Sequence, residues 1–212
     1  MQIKGKKFNF LGDSITEGVG SSAPEFMYQN VFAKKYGPAL VRSYGISGTR
    51  IARQHKPTAD NPSFDLNFCK RAQEMDPNAD VVVVFGGTND FGHGDAPIGT
   101  PEDRTNDTFY GACHTLIKGL IEKYPTSVIV FMTPLHREFE TREGRPPLSA
   151  FVSIIREVCE IYSVPVVDLY KNAGICPANE ISKLTYTQDG LHPNDVGMER
   201  IADRLGAFLE SL

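Results

Sequence analysis

Ser14 is the first residue whose type and setting could do chemistry. It follows the largely apolar run F-N-F-L-G-D at residues 8–13 and precedes I-T-E-G, so a strand delivers it into a turn. In an open α/β sheet, ligands bind just beyond the carboxyl ends of the strands, and a serine there is presented to them. A hydroxyl with its ordinary pKa is a poor nucleophile; it needs a histidine to take its proton and an acid to orient that histidine. Of the five histidines, His192 lies three residues after Asp189 in D-G-L-H-P, a spacing that lets one turn carry both side chains on the same side. His93, two residues before Asp95, offers a rival base and acid. Acyl transfer also needs donors aimed at the oxyanion of a tetrahedral intermediate. The Ser14 N–H, Gly48 in Y-G-I-S-G-T and Asn89 in G-G-T-N-D are candidates, since glycine admits close approach of its N–H and asparagine offers an uncharged one.

Plainer readings stand beside these. Asp13 and Ser14 could cap a turn, Asp189 could cap the final helix, and Asn89 with Asp90 could form a turn after a buried strand. Asp13 and Asp90 could suggest a metal site, but neither has a histidine beside it or a third carboxylate in register, so no metal is expected. Asp13, His136 and Arg137 are candidates for substrate binding. His136, Arg137, Arg142 and Arg145 share one loop and could clamp an anionic or sugar-like substrate, or be solvated surface or a subunit contact.

Taken together, the four blocks resemble the SGNH hydrolases of the GDSL esterase/lipase superfamily. That family carries Ser, Gly, Asn and His in this order, matched here by Ser14 in G-D-S, Gly48 in G-I-S-G, Asn89 in G-T-N-D and His192 in D-G-L-H-P. The likeness runs from Phe8 to the helix after His192. Ile15 replaces the leucine of the family's name, and Ser43 stands where many members have an asparagine that would brace the Gly48 loop. The resemblance implies a serine esterase with a Ser14–His192–Asp189 triad, an acyl-enzyme intermediate and no cofactor. Its members span lipids, thioesters, aryl esters and acetylated sugars.

The elements that must position these residues are legible in the hydropathy pattern. Strands are expected over 7–11, 40–44, 80–85, 127–132 and 165–167, and helices over 25–36, roughly 62–75, 107–124, 148–162 and 195–212, the last capped by Asn194. The unbroken apolar runs V-V-V-V and V-I-V-F suit parallel strands covered on both faces. The alternation predicts a three-layer α/β/α fold with a five-stranded parallel sheet, ordered 2-1-3-4-5 as in flavodoxin-like proteins. Long loops at 91–106 and 133–147 leave strand ends on the same side and should wall a substrate pocket. They are rich in Gly, Pro and charge rather than apolar residues, which favours short acyl groups, chiefly acetyl, on a polar alcohol such as a carbohydrate.

The 212 residues, 41% hydrophobic, suit a single domain over 1–212, and a net charge of −4 argues against a nucleic-acid surface. Cys69, Cys113, Cys159 and Cys176 are far apart with no C-x-x-C pair, and read as reduced, mostly packed thiols rather than zinc ligands or a disulfide framework. No apolar stretch reaches the length of a signal peptide core or of a membrane span, so a cytoplasmic protein acting on a small-molecule ester is expected, with room for a homo-oligomer. A lysophospholipase or thioesterase is the second reading. A non-catalytic flavodoxin-like ligand binder is the third, although Glu17 in the 14–18 turn would oppose a bound phosphate.

Overall fold

The structure, a computed structural model, describes residues 1–212. Its elements run β1 Lys7–Gly12, α1 Ser14–Glu17, α2 Tyr28–Tyr36, β2 Leu40–Gly45, α3 Phe68–Glu74, β3 Val81–Phe85, α4 Thr88–Gly92, α5 Phe109–Lys123, β4 Val128–Met132, α6 Leu148–Ile161, β5 Val166–Val167, α7 Leu169–Asn172, α8 Glu180–Tyr186 and α9 Asp195–Ser211. All five strands are parallel, in the expected order β2-β1-β3-β4-β5. Successive strand side chains point to opposite faces, and the two faces carry separate cores. Leu11, Val82, Val84 and Phe131 pack on one side with residues of α3, α5 and α6, whereas Phe8, Phe10, Val83 and Val130 pack on the other with residues of α2 and α9. β3 is buried along its whole length, but β2, at the sheet edge, is only partly covered.

Two expected helices are shorter than their sequence patterns. The segment 25–36 opens with a 3-10 turn at Pro24–Phe26, and Met27 then adopts an extended ψ, so α2 begins only at Tyr28. In 62–75, Asn67 is extended and caps α3 by accepting from the Lys70 N–H at 3.0 Å. The N–H of Phe68 meanwhile donates to the Arg50 carbonyl at 2.8 Å, which ties this segment to the loop after β2 instead of letting the helix start earlier. Short helices α1, α4, α7 and α8, absent from the hydropathy reading, fill connections that carry too few residues for a periodic signal.

The topology decides where the candidate residues meet. The strand order reverses between β1 and β3, and ligands bind in the crevice at such a switch point. Ser14 follows β1, Gly48 follows β2 and Asn89 follows β3, so three segments far apart in sequence reach one end of the sheet.

Candidate active site

Ser14 is the first residue of α1, and its N–H has no partner inside that helix. Asp13 caps α1 through its carboxylate, which accepts from the Ile15 N–H at 3.1 Å. The helix folds back tightly over the strand end: a Cβ on Gly12 would run into the Thr16 side chain. From α2, the Tyr28 hydroxyl meets Thr16 Oγ1 at 3.0 Å and Gln29 donates to the Thr16 carbonyl at 2.8 Å, which holds α1 from behind.

His192 lies in a closed turn before α9. The Gln188 N–H donates to the His192 carbonyl at 2.8 Å and the Gly190 N–H to Thr187 Oγ1 at 3.1 Å. Asp189 spends one carboxylate oxygen on the backbone N–H groups of Leu191 (3.0 Å) and His192 (2.7 Å), and turns the other to His192 Nδ1 at 2.7 Å. His192 Nε2 in turn lies 3.0 Å from Ser14 Oγ. Partial burial would raise the Asp189 pKa, but the hydrogen bonds from His192 and Leu191 outweigh it and hold the carboxyl below its ordinary value. The pairing of segments 178 residues apart is fixed nearby, where Ser22 donates its N–H (2.8 Å) and hydroxyl (2.6 Å) to the Asp195 carboxylate at the start of α9. Asp189 does not cap α9; Asn194 does, accepting from the Gly197 N–H at 3.1 Å.

Gly48 has φ +74°, the left-handed region open to glycine, and a Cβ there would collide with the Phe64 ring. The sequence departure at Ser43 does not leave its loop unbraced. The Asp90 carboxylate accepts from the Ile51 N–H (3.0 Å) and the Ala52 N–H (2.9 Å). Arg71, 5% exposed, donates to Gly12 O at 3.1 Å, Thr49 Oγ1 at 2.8 Å and the Tyr44 carbonyl, so one side chain ties together the ends of β1 and β2 and the loop that follows. Burial lowers its pKa to about 10, with Asp13 opposing. Ser47 donates its N–H to Glu17 at 2.7 Å, which occupies that carboxylate. No local pattern marks Arg71 or Asp90 as braces, because every partner is distant in the chain.

Asn89 is held on both sides of its amide. Its Nδ2 donates to the Thr49 carbonyl at 3.0 Å, and its Oδ1 lies 3.2 Å from His93 Nε2. His93 Nδ1 faces the Arg50 guanidinium at 2.5 Å, which has protons only to donate, so Nδ1 accepts and Nε2 carries the hydrogen given to Asn89. Desolvation, and then the charges of Arg50, Arg137, Arg142 and Arg145, push the His93 pKa down to about 4 and keep it neutral. His93 therefore sits behind Asn89, not beside Asp95, whose carboxylate accepts from the N–H groups of His55 and Lys56 at 2.8 and 2.7 Å.

The substrate-binding candidates separate. Asp13 is 2% exposed and serves as a cap, its pKa raised to about 7 chiefly by burial. His136 stacks on Tyr170, ring centroids 3.8 Å apart, and its Nδ1 pairs with Glu140 at 2.7 Å. Arg137 alone reaches toward the Asn89 segment, with its guanidinium 3.4 Å from the Thr88 carbonyl and hydroxyl. No three His, Cys, Asp or Glu side chains converge as a metal ion would require, and no helix is long and apolar enough to cross a membrane.

A proton relay ending on a serine at a sheet's switch point, beside a left-handed glycine and a clamped asparagine amide, can carry out acyl transfer. Comparison with known proteins agrees with that chemistry. No curated protein matches the chain. A solved protein from Lactobacillus plantarum is 30% identical, with TM-score 0.87 over 99% of this chain and 98% of its own. The lipase/acylhydrolase from Enterococcus faecalis (22% identity, TM-score 0.67, 97% and 96% covered) and an acetyl xylan esterase (22%, 0.66, 95% and 98%) share the fold. The sequence model of the GDSL-like lipase/acylhydrolase family matches residues 10–200, so the chain belongs to that family and is an ester hydrolase of the SGNH type.

Proposed function

We propose that the protein is a serine esterase that cleaves short acyl esters, chiefly acetyl, of a polar alcohol such as a carbohydrate. The observation that carries this reading is the unbroken chain Ser14 Oγ, His192 Nε2, His192 Nδ1, Asp189 Oδ2, with steps of 3.0 and 2.7 Å between residues. Ser14 Oγ attacks the ester carbonyl as its proton passes to His192 Nε2. The oxyanion takes hydrogen bonds from the N–H groups of Ser14 and Gly48 and from the free hydrogen of the Asn89 amide. His192 then protonates the departing alcohol, the C–O bond breaks, and the acyl group stays on Ser14. Water, deprotonated by the same histidine, repeats the sequence and releases the acid. Asp189 keeps Nδ1 protonated and balances the imidazolium. No cofactor takes part in these steps.

Short acyl specificity rests on the walls. The loop that touches Thr88 through Arg137 and Gly190 through the Glu138 N–H carries charged side chains, among them Arg137, Glu138 and Glu140, and an acetyl group needs little apolar surface. The acetyl xylan esterase of the same fold illustrates this substrate class. One observation favours the lysophospholipase or thioesterase alternative: Phe139, Ile181 and Leu184 are 70%, 76% and 71% exposed, and the Glu138–Lys183 ion pair (2.9 Å) draws their segments together next to the His192 turn. A series of p-nitrophenyl esters decides between them. Each methylene in a matching groove contributes ~0.8 kcal/mol, so a long-chain enzyme gains steadily in kcat/KM to octanoyl, whereas this reading requires a maximum between acetyl and butyryl. Activity that survives Ser14→Ala would instead support a binder whose hydrolysis is incidental.

A further inference from the structure

The loop at 133–147 reaches both halves of the site through adjacent residues. Arg137 contacts Thr88, the residue before Asn89, while the Glu138 N–H donates to the Gly190 carbonyl in the His192 turn at 2.9 Å. Arg137 therefore stands in the wall between the Asn89 segment and the His192 turn. A Cβ on Gly92 would lie 3.1 Å from its Nη1, and its guanidinium rests 5.4 Å from the centre of the Phe91 ring.

This half-buried cation has no carboxylate partner, although two carboxylates lie within three residues of it. Glu138 is paired with Lys183 at 2.9 Å. Glu140 accepts from the Tyr170 hydroxyl at 2.7 Å, from the Arg137 backbone N–H at 3.1 Å, and faces His136 Nδ1 at 2.7 Å. Asp90 is turned to the Ile51 and Ala52 N–H groups, and Asp189 to His192. The guanidinium makes two long hydrogen bonds, both from Nη1 to Thr88 at 3.4 Å, so most of its five N–H donors are left without a hydrogen bond. Arg142, further along the loop, is exposed and in no ion pair, and Arg145 donates to the Gly94 carbonyl, which keeps positive charge on this side of the mouth in a protein of net charge −4.

A buried-edge guanidinium without an anion is a recognition group for one, because its planar fork fits carboxylate and phosphate oxygens two at a time. We propose that Arg137 binds a carboxylate or phosphate on the alcohol half of the ester, so that the substrates are short-chain esters of an anionic alcohol. This rests on the short-acyl reading above: an acetyl group carries no anion, so a charged group recognised by Arg137 must sit on the alcohol half.

The test is a binding measurement that needs no turnover. The full-length protein is titrated with 4-acetamidobenzoate, 4-acetamidophenyl phosphate and the neutral 4-acetamidobenzamide, followed by ligand-observed NMR. At least one anion should bind about tenfold or more tightly than the amide, as a charge-assisted hydrogen-bonded pair would give, and which anion gains tells the two apart. In Arg137→Gln that ratio should fall to near one, and in Arg137→Lys, which keeps the charge but not the fork, it should lie between. Equal binding of anions and amide by the wild type overturns the proposal, as does an anion preference that persists in a folded Arg137→Gln. If Arg137→Gln does not fold, an unaltered ratio in Arg137→Lys overturns it. Failure of the esterase reading shows up separately, as p-nitrophenyl acetate hydrolysis that does not depend on Ser14.

Discussion

Replacing Asp189 by asparagine separates two roles that one carboxylate fills. The oxygen that accepts from the Leu191 and His192 N–H groups at 3.0 and 2.7 Å has an equivalent in asparagine, so the turn survives. The oxygen 2.7 Å from His192 Nδ1 becomes an NH2 group, which donates. Nδ1 must then accept, the ring proton moves to Nε2, and the nitrogen 3.0 Å from Ser14 Oγ can no longer take the serine proton. Restoring the working tautomer sets two donors against each other and costs about 2–3 kcal/mol, as an unsatisfied polar pair does. Loss of the negative charge beside the imidazolium adds a second cost. Two charges about 4 Å apart interact by about 1 kcal/mol in water and about 4 kcal/mol at an effective dielectric constant of about 20. The Asp189 side chain is 50% exposed, which favours the lower part of that range, about 1–2 kcal/mol. The sum, about 3–5 kcal/mol, corresponds to a fall of roughly 10²–10⁴ in kcat/KM. Asp189→Ala removes the charge without imposing the wrong tautomer, so it should be no slower than Asp189→Asn even though it also loosens the turn. The assay is p-nitrophenyl acetate hydrolysis at saturating and limiting substrate, with thermal unfolding to check the fold. An asparagine variant within tenfold of wild type, or clearly faster than the alanine variant, would refute the reasoning and leave Asp189 as a turn former only.

Other expectations follow from the same geometry. Ser14→Ala and His192→Ala should each abolish nearly all hydrolysis, with little further loss when combined, because the two side chains act as one unit; more than about a tenth of the wild-type rate in either would contradict the triad. Asn89→Ala should lower kcat by about 10²–10³-fold with KM nearly unchanged, whereas a rise in KM at constant kcat would make Asn89 a ground-state contact. Gly48→Ala forces a left-handed φ on a side chain that also meets Phe64, so it should lower both melting temperature and kcat; a variant with wild-type values would show that the loop shifts freely. Asp13 gives a pH test of stability: its pKa is raised to about 7, chiefly by burial, so the folded state binds a proton more tightly than the unfolded one and stability falls as pH rises from about 4 to 7. Asp13→Asn should therefore gain on wild type by about 2–3 kcal/mol between pH 5 and 8, measured by urea unfolding, and a constant difference would mean that Asp13 stays ionised throughout.

What the sequence determined by itself was local. Unbroken apolar runs such as V-V-V-V mark buried parallel strands, because period and composition act over a few residues. The Asp189–His192 pair was legible because three residues in one turn suffice to bring a carboxylate to a ring nitrogen. The alternation of strand and helix implied a parallel sheet, likeness to flavodoxin-like folds suggested its order, and the four motifs at strand ends pointed to acyl chemistry. The tertiary structure alone decided what depends on contacts between distant segments. The partners of His93 turned a rival base into the support of Asn89, since Arg50 and Asn89 reach its two nitrogens from different loops. The brace of the Gly48 loop came from Arg71 and Asp90 rather than from the position of Ser43. The tertiary structure also gave Asp13 a helix to cap, and His136 the Glu140 carboxylate and the Tyr170 ring as partners. Arg137 was a candidate from the sequence, but that it has no carboxylate partner became visible only once both neighbouring glutamates were seen bonded elsewhere. A side chain's type is written in the sequence, but its free hydrogen-bonding capacity is what remains after all its neighbours are satisfied, and those neighbours are chosen by the fold.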